Sequence, residues 1–591
     1  MRRFVVVLAA VALLLPGLAG SVAAAGATHR QPAASNPQAA ARQWQTEQLA
    51  ALHRLDDGRG FVVGPAVRAN GPQEFGDNAS LMSAGDLTGD NRRDVLDLRF
   101  GPSGSNGNSA LGITARDGRS GRALWNRALS EPPNDETEVM PERLGAKGKL
   151  GVLVIESYET EVSNVVVSAE VRVRALSGAA GRVLWTRTVT GTFGSGNTQT
   201  NVPNLAGIFH NVKGPDDSVL VSLESTVSTG DRTTAETVSE RDGSLRTPGG
   251  SFTSADGYAG LLPIGDVNGD GLADILVLSQ GSPGFELAEK GNSGAKIWQT
   301  SVVPIQQFDS LAIPLGHYSS RAYPDIAIES GFLAGPNQIT VLAGRTGHVV
   351  WSRPADVVYL LGTAGKHRQR AVGLQTESDG SGSTAFSVTE RFTAVSAANK
   401  VIYNKSVTVS VPLPSGSSAT GTTTDIQPLG DVEPDGSTER MVDVQVAAQS
   451  PTVNNSESID GYVDGRFGSF RKVNFDTETD GSLHRGNGTD LLTLSLISGK
   501  PQLTAIDGKT RKVYYQRTLP GLHGIQQARV VGIRVSGQRC SDLSVATVAA
   551  SRSVLGITSA RGRWLWRVSF AANRVIGGTR THAKAPKHYC L

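Results

Sequence analysis

The sequence predicts an all-β protein built from repeated units, and three observations support this. After about residue 60, short runs rich in β-branched residues alternate with Gly, Asp, Asn and Ser, as strands alternate with turns. One phrase, a glycine turn followed by an aliphatic residue and Trp, recurs along the chain. An acidic loop precedes that phrase in several units. A chain of 591 residues exceeds what one core accommodates unless a unit is repeated.

The composition is that of a turn-rich globular chain. It contains 69 Gly and 27 Pro, with 39% hydrophobic and 19% charged residues. Collagen would need glycine at every third position, and a disordered chain would have far fewer aliphatic residues, so both classes are excluded. The formal net charge is +3, from 57 basic and 54 acidic residues, without any run of five Lys or Arg. We therefore expect no nucleic-acid partner.

The first 25 residues are predicted to be a signal peptide. Arg2 and Arg3 precede an apolar run over 4–15, and small residues over 21–27 offer cleavage sites. That run is shorter than the roughly 20 residues that a membrane-spanning helix needs. No later segment is long and apolar enough to span. We expect a secreted, extracellular protein without a membrane span.

The remaining chain divides into three parts. A linker over 26–75 includes a short helix over 36–55, indicated by an Asn-Pro start and apolar residues on one face. The repeated β body covers 76–575, and a basic tail covers 576–591.

The two cysteines, Cys540 and Cys590, lie near the C-terminus. In an exported chain they favour a disulfide bond, which would tie the tail to the last unit. Two free thiols remain the alternative.

The phrase that defines the repeat is clearest in residues 117–125 and 177–185. It ends at Trp125, Trp185, Trp298, Trp351 and Trp566, and with tyrosine replacing tryptophan at Tyr403 and Tyr515. Two intervals are twice the usual length, and degenerate copies at 242–244 and 464–468 fill them. The count is therefore nine units of about 55 residues. Because the aromatic residue keeps a fixed phase, we expect it to anchor the packing between units.

The best acidic loop has oxygen-bearing side chains at alternate positions. Asp266, Asn268 and Asp270 occupy positions 1, 3 and 5, and Asp274 occupies position 9. Calcium prefers six to eight hard oxygen ligands, and such side chains converge in a tight loop. Gly271, at position 6, permits the sharp turn. We therefore predict a calcium site here.

Two further loops repeat this pattern, and they lie in the same phase of their units. The candidate ligands are Asp86, Thr88, Asp90 and Asp94 in one loop, and Asp431, Glu433, Asp435 and Glu439 in the other. An ordinary hairpin turn is the alternative for any single Asp/Asn/Gly string. Three strings in phase favour calcium, with two to four structural ions expected. The equivalent loop at 316–325 has Arg321 at position 5, and we expect it to be metal-free.

The loops beginning Gly85-Asp86, Gly265-Asp266 and Gly430-Asp431 resemble the calcium loops of FG-GAP/VCBS repeats. Those repeats are the blades of integrin-alpha-type β-propellers. The phrase from glycine turn to Trp is similar to the outer part of blades in quinoprotein-like (PQQ-like) propellers. The resemblance covers about residues 75–575 and implies a β-propeller of four-stranded blades with calcium in some blade loops. Since propellers usually have four to eight blades, nine units predict seven to nine blades.

The resemblance does not imply one activity. We expect a binding or interaction scaffold for an extracellular protein or carbohydrate, with polar stretches at 377–384, 415–424 and 450–458 projecting as loops. A polysaccharide lyase or hydrolase is the alternative, and a quinoprotein dehydrogenase is less favoured. No Gly-x-Ser-x-Gly motif occurs and the ten histidines are scattered, so no catalytic residue is assigned.

Overall fold

The structure is a computed structural model that describes residues between 79 and 582. Within that range it does not describe 91–92, 101–109, 131–135, 145–148, 163–164, 193–203, 210–217, 228–229, 247–250, 255–258, 272–273, 280–284, 291–294, 302–310, 321–322, 331–336, 382–384, 414–417, 425–436, 438, 450–453, 473–478, 482–489, 508–509, 511, 524, 534–539, 541, 550–551 and 572–577. The predicted signal peptide, the helix over 36–55 and Cys590 lie outside the described residues.

The described chain forms strands arranged as nine antiparallel sheets of four or five strands. It contains no α-helix, and hence no helix that could cross a membrane. The strands of each sheet are consecutive in sequence and pair mostly in sequence order, as in a meander. This agrees with the runs of β-branched residues between turns.

Sheets 1 to 3 cover the first part of the body. Sheet 1 contains β1 (Ala79–Gly85), β2 (Asp94–Phe100), β3 (Ala110–Asp117) and β4 (Ala123–Ser130). Sheet 2 contains β5 (Glu136–Leu144), β6 (Lys149–Val162), β7 (Val165–Ser177) and β8 (Val183–Thr192). Sheet 3 contains β9 (Asn204–Phe209), β10 (Ser218–Val227), β11 (Gly230–Ser239), β12 (Leu245–Arg246) and β13 (Ser251–Ser254), of which β12 and β13 both pair with β11.

Sheets 4 to 6 follow in the same way. Sheet 4 contains β14 (Ala259–Gly265), β15 (Asp274–Ser279), β16 (Phe285–Lys290) and β17 (Lys296–Thr300). Sheet 5 contains β18 (Leu311–Gly316), β19 (Asp325–Ser330), β20 (Gln338–Ala343) and β21 (Val349–Pro354). Sheet 6 contains β22 (Val357–Ala364), β23 (Gln369–Ser381), β24 (Ala385–Ser396) and β25 (Val401–Pro412).

Sheets 7 to 9 complete the body. Sheet 7 contains β26 (Ser418–Thr424), β27 (Arg440–Gln449), β28 (Asn454–Val463) and β29 (Phe470–Lys472). Sheet 8 contains β30 (Thr479–Gly481), β31 (Asp490–Ile497), β32 (Lys500–Ile506) and β33 (Val513–Thr518). Sheet 9 contains β34 (Ile525–Ile533), β35 (Asp542–Ala549), β36 (Arg552–Thr558), β37 (Trp564–Ala571) and β38 (Thr579–His582). The strand β38 lies within the segment that the sequence analysis assigned to the tail.

Neighbouring sheets pack face to face through shared apolar clusters. These clusters join sheets 1 and 2, 2 and 3, 4 and 5, 5 and 6, 6 and 7, and 8 and 9. Sheets 3 and 4 meet through their first strands, β9 and β14. First strands of other neighbouring sheets also contact each other, such as β14 with β18 and β18 with β22. The first strands therefore lie on the inside of the arrangement.

The last sheet packs against the first. Leu81 and Val95 of sheet 1 share a buried cluster with Leu555, Ile557 and Trp566 of sheet 9. Consecutive meander sheets that pack face to face, with their first strands inside and the last sheet against the first, define a β-propeller. The protein is therefore a propeller with four-stranded blades, and closure leaves only the outer strands as edges.

In the seven sheets that carry it, the recurring aromatic residue links the sheet to the next one, as the sequence analysis predicted. The Trp125 Nε1 atom donates to the carbonyl of Gly178, in the turn of the following sheet, at 2.5 Å. Equivalent bonds run from Trp185 to Glu240, from Trp298 to Gly344, from Tyr403 to Gly465, from Tyr515 to Ala560, and from Trp566 back to Gly118. Trp351 instead donates to the Tyr318 hydroxyl, which donates to the carbonyl of Val395.

Glycine is required in the turn that receives the aromatic ring for two physical reasons. Gly181 has a φ of +63°, which residues with a Cβ atom rarely adopt. A Cβ atom there would also lie 2.5 Å from the Trp125 ring of the preceding sheet. Gly243 and Gly468, in the two degenerate copies, show the same conformation and the same approach to Trp185 and Tyr403. Both degenerate copies are thereby confirmed as turns of the repeat.

Three polar stretches that were expected to be loops are partly strands. Residues 377–381 continue β23, residues 418–424 form β26, and residues 454–458 begin β28. The expectation was wrong for these residues because Ser, Thr and Asn in them pair with a neighbouring strand in the ladder. Cross-strand pairing satisfies their backbone groups even where the side chains are polar.

We predict that Gly121→Ala weakens the closure of the propeller. Gly121 has a φ of +68°, and a Cβ atom there would lie 2.4 Å from the Trp566 ring of sheet 9. Backbone strain of about 1 kcal/mol and an overlap costing about 1–3 kcal/mol should both lower the free energy of unfolding. Urea unfolding monitored by Trp fluorescence would measure the loss.

Gly89→Ala is the matched control for this substitution. Gly89 has a φ of +81°, but a Cβ atom there would meet nothing within 4 Å. Without calcium, this variant should show only the strain of about 1 kcal/mol. Equal losses for the two variants would contradict a specific role for the contact with Trp566.

Candidate metal-binding loops

Two of the predicted calcium loops adopt the same backbone conformation. Each joins the first and second strands of its sheet, β1 to β2 in sheet 1 and β14 to β15 in sheet 4. The loops start at Gly85 and Gly265, which have φ values of +66° and +75°, and a register shift precedes each glycine. The glycines turn the chain out of the first strand, so that the following side chains come together at one end of the blade.

In sheet 4, the Asp266 carboxylate organises the loop. Its Oδ1 atom accepts the N–H groups of Gly269 and Asp270 at 2.6 and 3.0 Å, and its Oδ2 atom accepts that of Gly271 at 2.7 Å. The Asn268 Nδ2 atom donates to Asp274 at 2.9 Å. The predicted ligands at positions 1, 3, 5 and 9 are thus brought into one loop.

Sheet 1 repeats these contacts. The Asp86 Oδ1 atom accepts the N–H groups of Gly89 and Asp90 at 2.7 and 3.0 Å, and Thr88 Oγ1 lies 3.4 Å from the same oxygen. The Asp94 Oδ2 atom accepts the Leu87 N–H at 3.0 Å, as Asp274 accepts that of Val267 at 2.9 Å. Two independent stretches of sequence therefore produce the same arrangement.

The carboxyl group at the ninth position of both loops is buried near other acidic groups, which favours its neutral form. Burial, together with the nearby charges of Asp270 and Asp266, raises the pKa of Asp274 to about 8. Burial and the charges of Asp90, Asp117 and Asp86 raise the pKa of Asp94 to about 7. A cation close to these carboxyl groups would favour their charged forms.

The donor set of these loops fits calcium chemically, because it consists of carboxylate, amide and hydroxyl oxygens without nitrogen or sulfur ligands. Asp86, Thr88, Asp90 and Asp94 would hold one ion, and Asp266, Asn268, Asp270 and Asp274 another. Across the described part of the chain, no three His, Cys, Asp or Glu side chains already stand in a metal-binding cluster. Several of the predicted ligands accept backbone N–H groups instead.

The third predicted loop is mostly outside the described residues. Asp431, Glu433 and Asp435 fall in 425–436, and only Glu439 is described. Glu439 is fully buried and directly precedes β27. The third calcium site therefore stays a prediction.

The loop of sheet 5 was expected to be metal-free because of Arg321, which lies outside the described residues, so that expectation stays a prediction. A positively charged group from the next sheet lies beside this loop. Arg370, on β23 of sheet 6, donates from Nη1 to the carbonyls of His317 and Ser320. The Ser319 N–H is directed at the Asp325 carboxylate, as in the other two loops. Sequence analysis missed Arg370 because it lies 50 residues beyond Ser320 and in another unit.

The aspartate at the ninth position has a wider role than metal binding. It is the first residue of the second strand in five sheets, as Asp94, Asp274, Asp325, Asp490 and Asp542, and it is buried in all five. In sheets 1, 4 and 5 it accepts an N–H group of the preceding loop. The signal in the sequence was an aspartate at the start of a strand. It marks a carboxylate that holds the preceding loop, whether or not that loop has a full set of metal ligands.

A second group of charged residues is buried near the closing contact. Asp97 accepts from Arg99 at 2.6 and 2.7 Å and from Arg116 at 2.7 and 2.9 Å. All three side chains are at most 5% exposed, and Phe570 of sheet 9 lies 3.6 Å from the Arg99 guanidinium. Arg116 also donates to the carbonyl of Gly121. The ion pairs therefore support the turn that receives Trp566.

We predict that Asp97→Asn destabilises the protein by about 3–5 kcal/mol, because it leaves Arg99 and Arg116 buried without their carboxylate. Chemical denaturation at neutral pH would measure the change. Glu170→Gln is the matched control, since the Glu170–Arg172 pair is about a quarter exposed and is expected to contribute less than about 1 kcal/mol. A loss for Asp97→Asn no larger than that of the control would show that the buried pairs do not support the closure.

The predicted disulfide is only half within the described residues. Cys540 is fully buried and belongs to the apolar cluster between sheets 8 and 9. Cys590 lies outside the described residues. The pairing of the two cysteines therefore stays a prediction.

Comparison with known proteins finds no matching protein-family model and no matching curated protein. Among solved structures, BamB from Moraxella catarrhalis matches at 15% identity, over 70% of this chain and 97% of that one, with a TM-score of 0.26. Quinohemoprotein alcohol dehydrogenase from Comamonas testosteroni matches at 12% identity, over 75% of this chain and 69% of that one, with a TM-score of 0.28. The Dos1 propeller matches at 10% identity, over 64% and 88%, with a TM-score of 0.30.

TM-scores this low carry no argument about function. The fold is established by the order of the sheets and by the contacts that close them. The class of this protein is therefore a β-propeller with four-stranded blades, two of which carry matching acidic loops.

Proposed function

We propose that this protein is a secreted, calcium-stabilised propeller of the FG-GAP/VCBS type that acts as a binding scaffold for an extracellular protein or carbohydrate. In this proposal all nine sheets are blades of one ring, and Cys540 and Cys590 form a disulfide. The apolar leader and the two cysteines support export. The in-phase acidic loops support calcium binding.

The observation that carries the scaffold function is the unequal length of the blades. The second and third strands have 14 and 13 residues in sheet 2, and 13 and 12 in sheet 6. They have 10 residues each in sheets 3 and 7. In sheets 4 and 5 they have only 6 residues. At about 3.3 Å per residue, the strands of the longer hairpins run roughly 13–26 Å further than those of sheets 4 and 5.

All four long hairpins extend on the same side of the propeller. Because strands alternate in direction, every turn between a second and a third strand lies on the face opposite the acidic loops. Sheets 2 and 3 are neighbours, as are sheets 6 and 7, and shorter sheets separate the two pairs. In this proposal the long hairpins form two walls with a cleft between them, a shape that would suit the binding of a macromolecule.

The walls are acidic. The projecting part of each long hairpin is taken as the residues beyond the first six cross-strand residue pairs, counted from the opposite face. These parts are residues 157–171, 224–233, 377–390 and 446–457. Apart from the buried Glu390, their sequences contain the acidic residues Glu159, Glu161, Glu170, Glu224, Asp231, Glu377, Asp379 and Glu457, against one basic residue, Arg232. A partner with a basic surface therefore fits the cleft better than an acidic glycan does.

We predict that a photo-crosslinking residue at Glu377 traps a macromolecular partner, because Glu377 is exposed on a wall of the cleft. The tagged protein would be expressed in its own cells, irradiated, and its adducts identified by mass spectrometry. Lys366, which is exposed in the turn between β22 and β23 on the opposite face of the same sheet, is the matched control position. Protein adducts at 366 and none at 377 would contradict the assignment of the face. A glycan array with the purified protein distinguishes a carbohydrate partner from a protein.

We predict that the metal-stripped mature protein binds two to four Ca²⁺ ions, with an increase in melting temperature, because the ions neutralise the carboxylates of the loops. Isothermal calorimetry and thermal unfolding would measure the two effects. The double variant Asp266→Asn/Asp270→Asn should lose one site. Asp242→Asn, in an exposed turn outside these loops, should lose none. Absence of binding heat together with an unchanged melting temperature would reduce the loops to ordinary turns.

A further inference from the structure

A ring of positive charge surrounds the face opposite the cleft. The turns between third and fourth strands, together with the first residues of the fourth strands, form the outer edge of that face; this edge is called the basic rim. Exposed cations occupy it in eight of the nine sheets: Arg119, Arg122, Arg182, Arg241, Lys296, Arg345, Lys400, Lys512 and Arg563. In the remaining sheet, sheet 7, Arg466 lies in the equivalent turn and is partly exposed.

Acidic residues are fewer in the described turns of the rim. Asp242 is exposed, whereas Asp117 and Asp507 are partly exposed and Glu240 and Asp464 are buried. The acidic loops of sheets 1 and 4 lie on the same face, but each joins the first and second strands of its sheet. They therefore lie nearer the axis, inside the ring of cations. The outer edge of this face thus attracts anions.

Exposed apolar side chains alternate with these cations. Of the large apolar residues described as exposed, six of eight lie on the rim: Val183, Leu184, Val349, Val401, Phe467 and Val513. Leu184 is 52% exposed and Phe467 is 44% exposed. Val183, Val401 and Val513 each directly follow an exposed cation. The repeat therefore places a basic and an apolar side chain together at several points around the ring.

We propose that the basic rim docks on an anionic phospholipid surface. This inference goes beyond the scaffold function and concerns the opposite face. Equivalent turns of a propeller lie at the same height, so the rim presents its side chains to a flat, extended partner. Lys and Arg near an anionic bilayer each contribute to attraction, and apolar side chains enter the interface between headgroups and acyl chains. An acidic polysaccharide would satisfy the cations but leave the apolar residues exposed to water.

Vesicle co-sedimentation with the full mature protein tests this proposal. The protein is expected to bind vesicles of phosphatidylcholine with 30% phosphatidylglycerol and not vesicles of phosphatidylcholine alone. The triple variant Arg182→Gln/Lys400→Gln/Lys512→Gln should bind roughly a hundredfold more weakly, since each charge contributes about one factor of five. Leu184→Ser/Phe467→Ser should weaken the binding that remains at high salt, where the electrostatic attraction is screened.

The matched control is Arg391→Gln/Lys500→Gln/Arg552→Gln, which removes three exposed cations away from the rim. It should bind the anionic vesicles as the unmodified protein does. Thermal unfolding would verify that all variants are folded. The proposal is overturned if the rim and control variants lose equal affinity, if neutral vesicles bind equally well, or if only a soluble acidic polysaccharide binds the rim. Because the crosslinking at Glu377 probes the other face, the two proposals fail independently.

Discussion

The interaction on which the propeller depends is the contact between an aromatic ring of one blade and a glycine turn of the next. The ring takes the space that a Cβ atom would fill, and its N–H or O–H group donates to a carbonyl of the same turn. Because Trp566 makes this contact with Gly118 and Gly121, the same interaction also closes the chain. Among the described residues no strand ladder joins neighbouring sheets, so these contacts and the shared apolar clusters set how adjacent blades pack.

The tight packing between sheets also buries charged side chains. Asp97, Arg99 and Arg116 are removed from water where sheet 9 meets sheet 1, and their mutual bonds compensate the lost hydration. In the loops between first and second strands, a buried aspartate accepts backbone N–H groups, which likewise compensates its lost hydration. In sheet 5 a neighbouring guanidinium contacts the loop carbonyls. In sheets 1 and 4 the loops hold additional oxygen donors that suit a metal ion.

The two faces of the propeller have different chemistry because different turns lie on them. One face has the ends of the long hairpins, whose lengths vary from sheet to sheet without disturbing the packing of the blades. The other has the glycine turns, whose conformation the aromatic contact fixes, so their exposed Arg, Lys and Val residues recur in nearly the same position. Variation is therefore concentrated on the cleft face and repetition on the rim.

The sequence by itself determined the β class, the repeat and its phase, because a turn glycine with positive φ lies close to an aromatic ring of the preceding sheet, as Gly181 does to Trp125, at six places in the ring. It also located the loops at Asp86 and Asp266, since their ligand spacing is short-range. Only the tertiary structure placed Arg370 beside the loop of sheet 5, joined Asp97 to Arg116 near Phe570, and turned the polar stretch after Glu377 into strand. These features depend on which blades become neighbours and on cross-strand pairing, and neither is encoded in local residue patterns.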